Sequence, residues 1–261
     1  MGAFRYGCRR ISMKMRMNAI SMKRLLLFCI LGMATTVPSF SADTSLWDEL
    51  LNVVVTHIKR DGPDADAAQF ISMAHDHAWA RRAETVKLVV PFLSDKTPDK
   101  VAGAIEILCR FRGYRPMEYI GDFASDNAAF FADLDKEVYP HFDRFRELKS
   151  DRVYHVLALY LGMSRTPQAK RELLEIARSR FAAGAKEQAL ICLAWHRDPS
   201  DMDTLLPFML EDSPAARSLP YHFRNSYGDA ALPYLRKALT EAKTEATRRE
   251  AEKELKLLEH K

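Results

Sequence analysis

From Trp47 to Leu258 the apolar residues recur at steps of three and four, and no stretch alternates apolar with polar residues between hairpin turns. A step of three or four keeps side chains on one face of a helix, whereas a strand needs a step of two. The chain is thereby restricted to helices that each bury one face. Trp47, Leu50, Leu51, Val54 and Ile58 make the first such face behind Ser45, which can cap it together with Asp48; Asp61, Gly62 and Pro63 end it. Further helices are expected over about 64–79, 84–93 and 98–111, the last with Gly113 as its stop. Val153, Val156, Leu157, Tyr160 and Leu161 form another face closed by Gly162, and Thr166 with Pro167 opens the next helix. The remaining helices fall at about 186–196, 203–210, 214–226, 229–241 and 245–258.

Helices this short, joined by turns of a few residues, read as antiparallel pairs with too little apolar area to fold alone; stacking pair on pair supplies the missing burial. Internal similarity points the same way. Asp203 to Met209 match Asp229 to Leu235 twenty-six residues later, each with a proline at the fifth position, Pro207 and Pro233; Val89 to Leu93 is a weaker copy. The leading aspartates suit helix N-caps, and a proline near a helix start does less damage than one inside. Asp198 and Pro199 before the helix carrying Pro207, then Asp212, Ser213, Pro214 and Arg217 in the following turn, then Gly228 and Asp229 before Pro233 together resemble the HEAT-repeat family, in particular its short branch related to phycobilisome lyases. The clear match spans about 185–243, with a looser echo over 84–112, and residues 113–150 depart from it. The resemblance implies an all-α fold, an α-α superhelix of stacked antiparallel helix pairs, in which Asp212 with Arg217, and less well Asp95 with Lys100, belong to structural ladders between repeats. The lyase activity of that branch is not carried over, because nothing in this sequence marks a tetrapyrrole site and fold analogy is not function.

The first 41 residues are of another kind. Lys23 and Arg24, an apolar run from Leu25 to Val37, then Pro38 and the small-residue pattern Ser39, Phe40, Ser41 read as a secretory signal peptide that starts at Met22 and is cut after Ser41. The apolar run is short against the ~20 residues that span a bilayer; left uncut, the leader would be an N-terminal anchor. Residues 1–21 are then a basic extension, and Leu26, Leu27 and Phe28 before Cys29 do not make a lipid-attachment box. Seven of the 39 basic residues and none of the 35 acidic ones lie in positions 1–41, so the mature chain has 32 basic against 35 acidic residues instead of the formal +4 of the whole. A nucleic-acid binder needs a net basic surface to neutralise phosphates, so that class is excluded. Of the four cysteines only Cys109 and Cys192 follow the cleavage site, both in apolar contexts, which predicts buried, unpaired thiols and not a disulfide scaffold. The absence of an Asn-x-Ser/Thr sequon favours a bacterial periplasm over a eukaryotic secretory route.

No zinc-protease motif, glycine-rich phosphate loop, nucleophile elbow or Cys-x-x-Cys pair occurs after residue 41, so neither catalytic residue, metal nor cofactor is expected. His75, Asp76 and His77 come nearest to a metal site, but residues two apart on a helix point about 200 degrees from each other. His196 beside Trp195 reads as a C-terminal cap favoured by the helix dipole, the stripe from Leu190 to Phe208 as core, and the charged run 247–256 with Ala251, Leu255 and Leu258 on one face as a terminal capping helix. Tyr114, Tyr119, Phe123, Phe130, Phe131, Tyr139, Phe142 and Phe145 crowd into one stretch, interleaved with Asp122, Asp126, Asp133, Asp135, Glu137, Arg144 and Arg146. Two readings stay open for it: an irregular helical pair packing its own core, or a partner-binding surface anchored by Tyr119, Phe123, Tyr139 and Phe142. The expectation is an exported, non-enzymatic scaffold that holds a protein or peptide partner; the alternatives are an enzyme or enzyme subunit with a site assembled across repeats, or a carrier of a small apolar ligand.

Overall fold

Residues 44–112, 127–179 and 183–260 are described by a computed structural model, and every regular element among them is helical. The leader, Tyr114, Tyr119, Phe123, Asp122 and Asp126, and the side chains of Ser45, His75 and Asp76 lie outside the described residues. The first helix, α1 (Thr44–Asp61), ends where Gly62 turns to φ +95, a left-handed conformation that favours glycine. Asp64 then caps α2 (Ala65–Met73), its Oδ1 accepting the Ala67 N–H at 2.8 Å. The single helix expected over 64–79 is broken: Ala74 leaves helical geometry at φ −91, ψ 29, and α3 (His75–Ala80) and α4 (Arg82–Val89) follow. The kink sets His77 in a stack on Trp47 of α1, 6.1 Å between ring centres, and brings Trp79 against Phe111 at the end of α5 (Pro98–Phe111).

The later part of the aromatic stretch forms α6 (Ala128–Val138), a 3-10 turn at Tyr139–His141 and α7 (Phe142–Leu148), and α8 (Asp151–Ser164), α9 (Pro167–Arg178) and α10 (Ala183–Trp195) follow. The last helices are α11 (Asp201–Leu210), α12 (Pro214–Tyr227), α13 (Leu232–Glu241) and α14 (Glu245–Glu259). Hydroxyls cap α8, α9, α12 and α14. Ser150, Thr166, Ser213 and Thr244 each accept the N–H three residues on, at 3.4, 3.0, 3.2 and 3.1 Å, and each such cap is worth about 1 kcal/mol. The aspartates expected in that role sit elsewhere: Asp203 lies inside α11 and accepts the Tyr234 hydroxyl at 2.8 Å, and Asp229 lies in the 3-10 turn Gly228–Ala231 that precedes α13. Because α11 starts at Asp201, Pro207 falls in the helix interior, where it forfeits a ladder hydrogen bond. Asp212 and Arg217, both exposed, form no ion pair with each other.

Helices touch in sequence order. α2 packs on α5, α5 on α8, α8 on α10, α10 on α12 and α12 on α14, while α9 lies against α8 and α10, α11 against α10 and α12, and α13 against α11 and α14. Between these helices Leu157, Tyr160, Leu161, Leu190, Leu193, Leu205, Leu219, Phe223 and Leu235 are 0–3% exposed; each such side chain contributes roughly 1.5–3 kcal/mol on burial. Gly162 does not close α8, which runs on to Ser164; it is there because α10 comes too near for a side chain. A Cβ on Gly162 would meet the Cys192 Cβ at 2.6 Å. At the opposite ends of the same two helices the Ala185 N–H reaches Asp151 Oδ1 at 3.3 Å, so α8 and α10 run parallel with their ends level. Cys109 on α5, whose Sγ donates to the Val156 carbonyl at 3.5 Å, and Cys192 on α10, beside Gly162, are both free and buried, each against α8.

Candidate binding cleft

The apolar stripe of α5 steps through Val101, Ile105 and Leu108, and one more step of four lands on Arg112, a charged residue that is only 5% exposed. A charge in that position must be paired and hydrogen-bonded to be tolerated. Its Nη2 donates to Asp135 Oδ1 on α6, to the Tyr160 hydroxyl at 3.1 Å and to the Phe131 carbonyl at 3.1 Å, and its guanidinium lies over the Tyr160 ring at 4.4 Å. Tyr160 and Ser164, successive members of the buried stripe of α8, complete the cage: the Tyr160 hydroxyl donates to Asp135 Oδ1 at 2.8 Å and Ser164 Oγ to Oδ2 at 2.9 Å. Burial pushes the Tyr160 phenol well above its ordinary range, so it stays a neutral donor.

From Ser164 the network runs outward. The Tyr139 hydroxyl sits 2.7 Å from Ser164 Oγ and 2.8 Å from Thr166 Oγ1, the hydroxyl that caps α9, so one phenol ties the 3-10 turn to the α8–α9 corner. Burial raises the Tyr139 phenol above its ordinary value in spite of those two bonds, which keeps it protonated and its ring fixed. Behind it Phe142 packs with a ring spacing of 5.0 Å. The outer face of Tyr139 lines an open cleft of about 760 Å³ together with Asp135, Lys136, Pro140, Thr166 and Pro167.

The sequence candidates separate in this geometry. Tyr139 is in the cleft, half-buried. Phe142 is 5% exposed and joins Phe145 in the interior, so it backs the cleft instead of offering a surface to a partner. Phe131 is likewise interior, and Tyr119 and Phe123 lie outside the described residues. Arg112, Tyr160 and Ser164 were absent from the candidates, although a polar residue that continues an apolar stripe at helical spacing is a signal that can be read. A smaller cleft of about 360 Å³, lined by Val86, Val90, Pro91, Phe130 and Glu137, opens on the other side of α6, beside Arg82 stacked over Trp79 at 4.5 Å.

No family model, curated protein or solved structure matches this chain. The chemistry of the cleft itself carries the functional reading.

The Asp135 carboxylate is the one acidic group at the cleft that reaches the interior, and both its oxygens are engaged by Arg112, Tyr160 and Ser164. A general base needs a free lone pair within reach of a substrate proton; three of the roughly four acceptor sites of this carboxylate are taken up by the fold. His196, expected as a charged dipole cap, is a different case. It follows α10 directly, its Nε2 lies 3.3 Å from the Leu161 carbonyl, and burial holds its pKa down at about 4, so at neutral pH it is an uncharged tie between α8 and α10. Among the described residues no three His, Cys, Asp or Glu side chains gather as metal ligands would.

Proposed function

We propose that the mature chain is a non-enzymatic interaction protein of the cell envelope, a superhelix of HEAT-like helix pairs in which the cleft at Tyr139 holds a segment of a protein partner. The observation that carries this reading is Tyr139 itself: an aromatic ring pinned by two hydroxyls and backed by Phe142, flanked in an open cleft by Pro140 and Pro167. Aromatic rings held in place give large contact area at little entropic cost, and prolines keep the walls rigid. The sequence-order contacts of α5, α8, α10, α12 and α14 support the superhelix, and the basic, apolar and small-residue order of 22–41 supports export.

A photo-crosslinking amino acid placed at Gln168, on the cleft wall, should give a discrete adduct with one protein in the native envelope, and the same probe at the exposed Lys243 should not. Equal labelling from both positions, or none from Gln168, removes the cleft as the binding site. Mass analysis of the mature protein should find its first residue at Ala42; a mature chain that keeps residues 22–41 would replace export and cleavage with anchoring.

A further inference from the structure

Arginines in this molecule that face another element usually reach a carboxylate there: Arg112 finds Asp135, Arg146 finds Glu172, Arg152 finds Asp99 and Arg224 finds Glu254. Among the described residues Arg165 and Arg197 do not. Each follows the C-terminal end of a helix, α8 and α10 respectively, and each takes a left-handed backbone, φ 51 and φ 55, at the position where glycine is the unstrained choice. Because α8 and α10 are parallel with level ends, the two arginines stand side by side; the His196 to Leu161 bond closes the same corner from below. Lys170, nearby on α9, pairs with Asp198 at 2.6 Å and Asp201 at 3.0 Å, and among the described residues neither acid makes an ion pair with Arg165 or Arg197. Burial and the charge of Arg197 together hold Arg165 below its ordinary pKa, as expected for two cations set next to each other.

Arg165 also immediately precedes Thr166, a residue that lines the cleft. We infer that Arg165 and Arg197 form a two-pronged seat for a carboxylate-bearing segment of a protein partner that lies along the Tyr139 cleft. Two guanidinium forks present parallel donors that match carboxylate oxygens, and in a chain whose mature region has more acid than base they mark where an acidic segment is attracted instead of repelled. The helix C-termini on which they sit favour a cation of any kind, which accounts for charge at each end but not for two arginines left side by side without acids. The identity of the ligand as a protein segment rests on the cleft reading above; the anion seat does not.

The test measures binding of fluorescein-labelled hexaglutamate to the purified protein at low ionic strength by anisotropy, for the parent, Arg165→Gln, Arg197→Gln and the double variant, with Arg171→Gln on α9 as the exposed-arginine control. Each cleft-side substitution should weaken binding about tenfold and the control less than twofold. Equal weakening by Arg171→Gln means a diffuse field, and unchanged binding in the double variant means no seat; either result overturns the inference. Inorganic phosphate, balanced against chloride, should displace the peptide no better than chloride does; specific displacement by phosphate overturns the assignment to a peptide in favour of a free anion. The Gln168 crosslink separates the two readings. If no adduct forms but hexaglutamate still depends on both arginines, the seat stands and the cleft reading falls; if the adduct forms undiminished in the double variant, the seat has no part in capture and this inference falls.

Discussion

The last five helices and the middle of the chain are held together differently. From α10 to α14 the contacts are apolar side chains at regular helical spacing, with hydroxyl caps starting α12 and α14 and ion pairs such as Arg224 with the fully buried Glu254 crossing between helices. Around α6 the organising element is polar: five side chains, Arg112, Asp135, Tyr160, Ser164 and Tyr139, linked in one chain from the interior to the surface. Apolar packing is tolerant of detail, since any residue of the right size fills the space; a buried polar network is not, since each member must satisfy the next. The middle of the chain is therefore the region where single substitutions should matter most.

The comparison is tested most sharply at Arg112. Arg112→Ala leaves Asp135 buried without its counter-charge and should cost roughly 3–5 kcal/mol of unfolding free energy in a denaturant titration. Removing both partners, Arg112→Ala with Asp135→Ala, should cost less than the two single losses added together. Additive losses would mean that the network is a set of independent contacts and that the contrast between the two regions is false.

A second expectation probes the regular region for a polar weakness. His196 is held neutral with a pKa of about 4 in the fold against an ordinary 6.5, so between those values the unfolded chain binds the extra proton. Its contribution is intact at pH 7, drains away as the pH falls from about 6.5 toward 4, and is flat below, for a total of roughly 2–3 kcal/mol. His196→Gln should flatten that part of the stability profile, leaving a smaller slope from His222, whose pKa burial also lowers. An unchanged slope in the variant would assign the acid sensitivity elsewhere.

Arg224→Met asks whether an isolated pair behaves like the network. Glu254 keeps Lys253 at 3.4 Å, so the loss should be about 2 kcal/mol, smaller than at Arg112. A loss as large as that of Arg112→Ala would erase the distinction. The smallest effect expected is that of Tyr139→Phe, which removes the hydroxyl bonds to Ser164 and Thr166 at the outer end of the network and should cost ~1 kcal/mol while leaving the ring in the cleft. In the crosslinking assay it should still form the Gln168 adduct, because the ring and not the hydroxyl is the contact.

These outcomes bear on what could be read in advance. The bounds of α5, the start of α9 and the position of α14 follow from apolar spacing with Thr or Pro at the start, because each signal is local. Gly162 could not be read correctly. A glycine near the end of an apolar run signals a stop when only the one helix is known, and its real function depends on Cys192 thirty residues away. The aspartates of the repeated segments failed as caps because the helices begin elsewhere, at Asp201 and Leu232, and Asp203 bonds Tyr234 of α13, thirty-one residues away. In the cleft, Tyr139 was legible as an aromatic among charges, whereas the burial of Phe142 and the cage around Asp135 depend on partners on α5 and α8 that no local pattern announces.

Cys109 and Cys192 each lie against α8, at Val156 and at Gly162, and burial raises both thiols, that of Cys192 to about 12. Neither can react with an alkylating reagent while α8 is in place, since the thiolate is scarce and the reagent has no path to it. The molecule thus contains a pair of clocks. The rate at which each sulfur becomes labelled under native conditions measures how often one flank of α8 lifts, and the ratio of the two rates tells whether the helix leaves α5 and α10 together or one at a time.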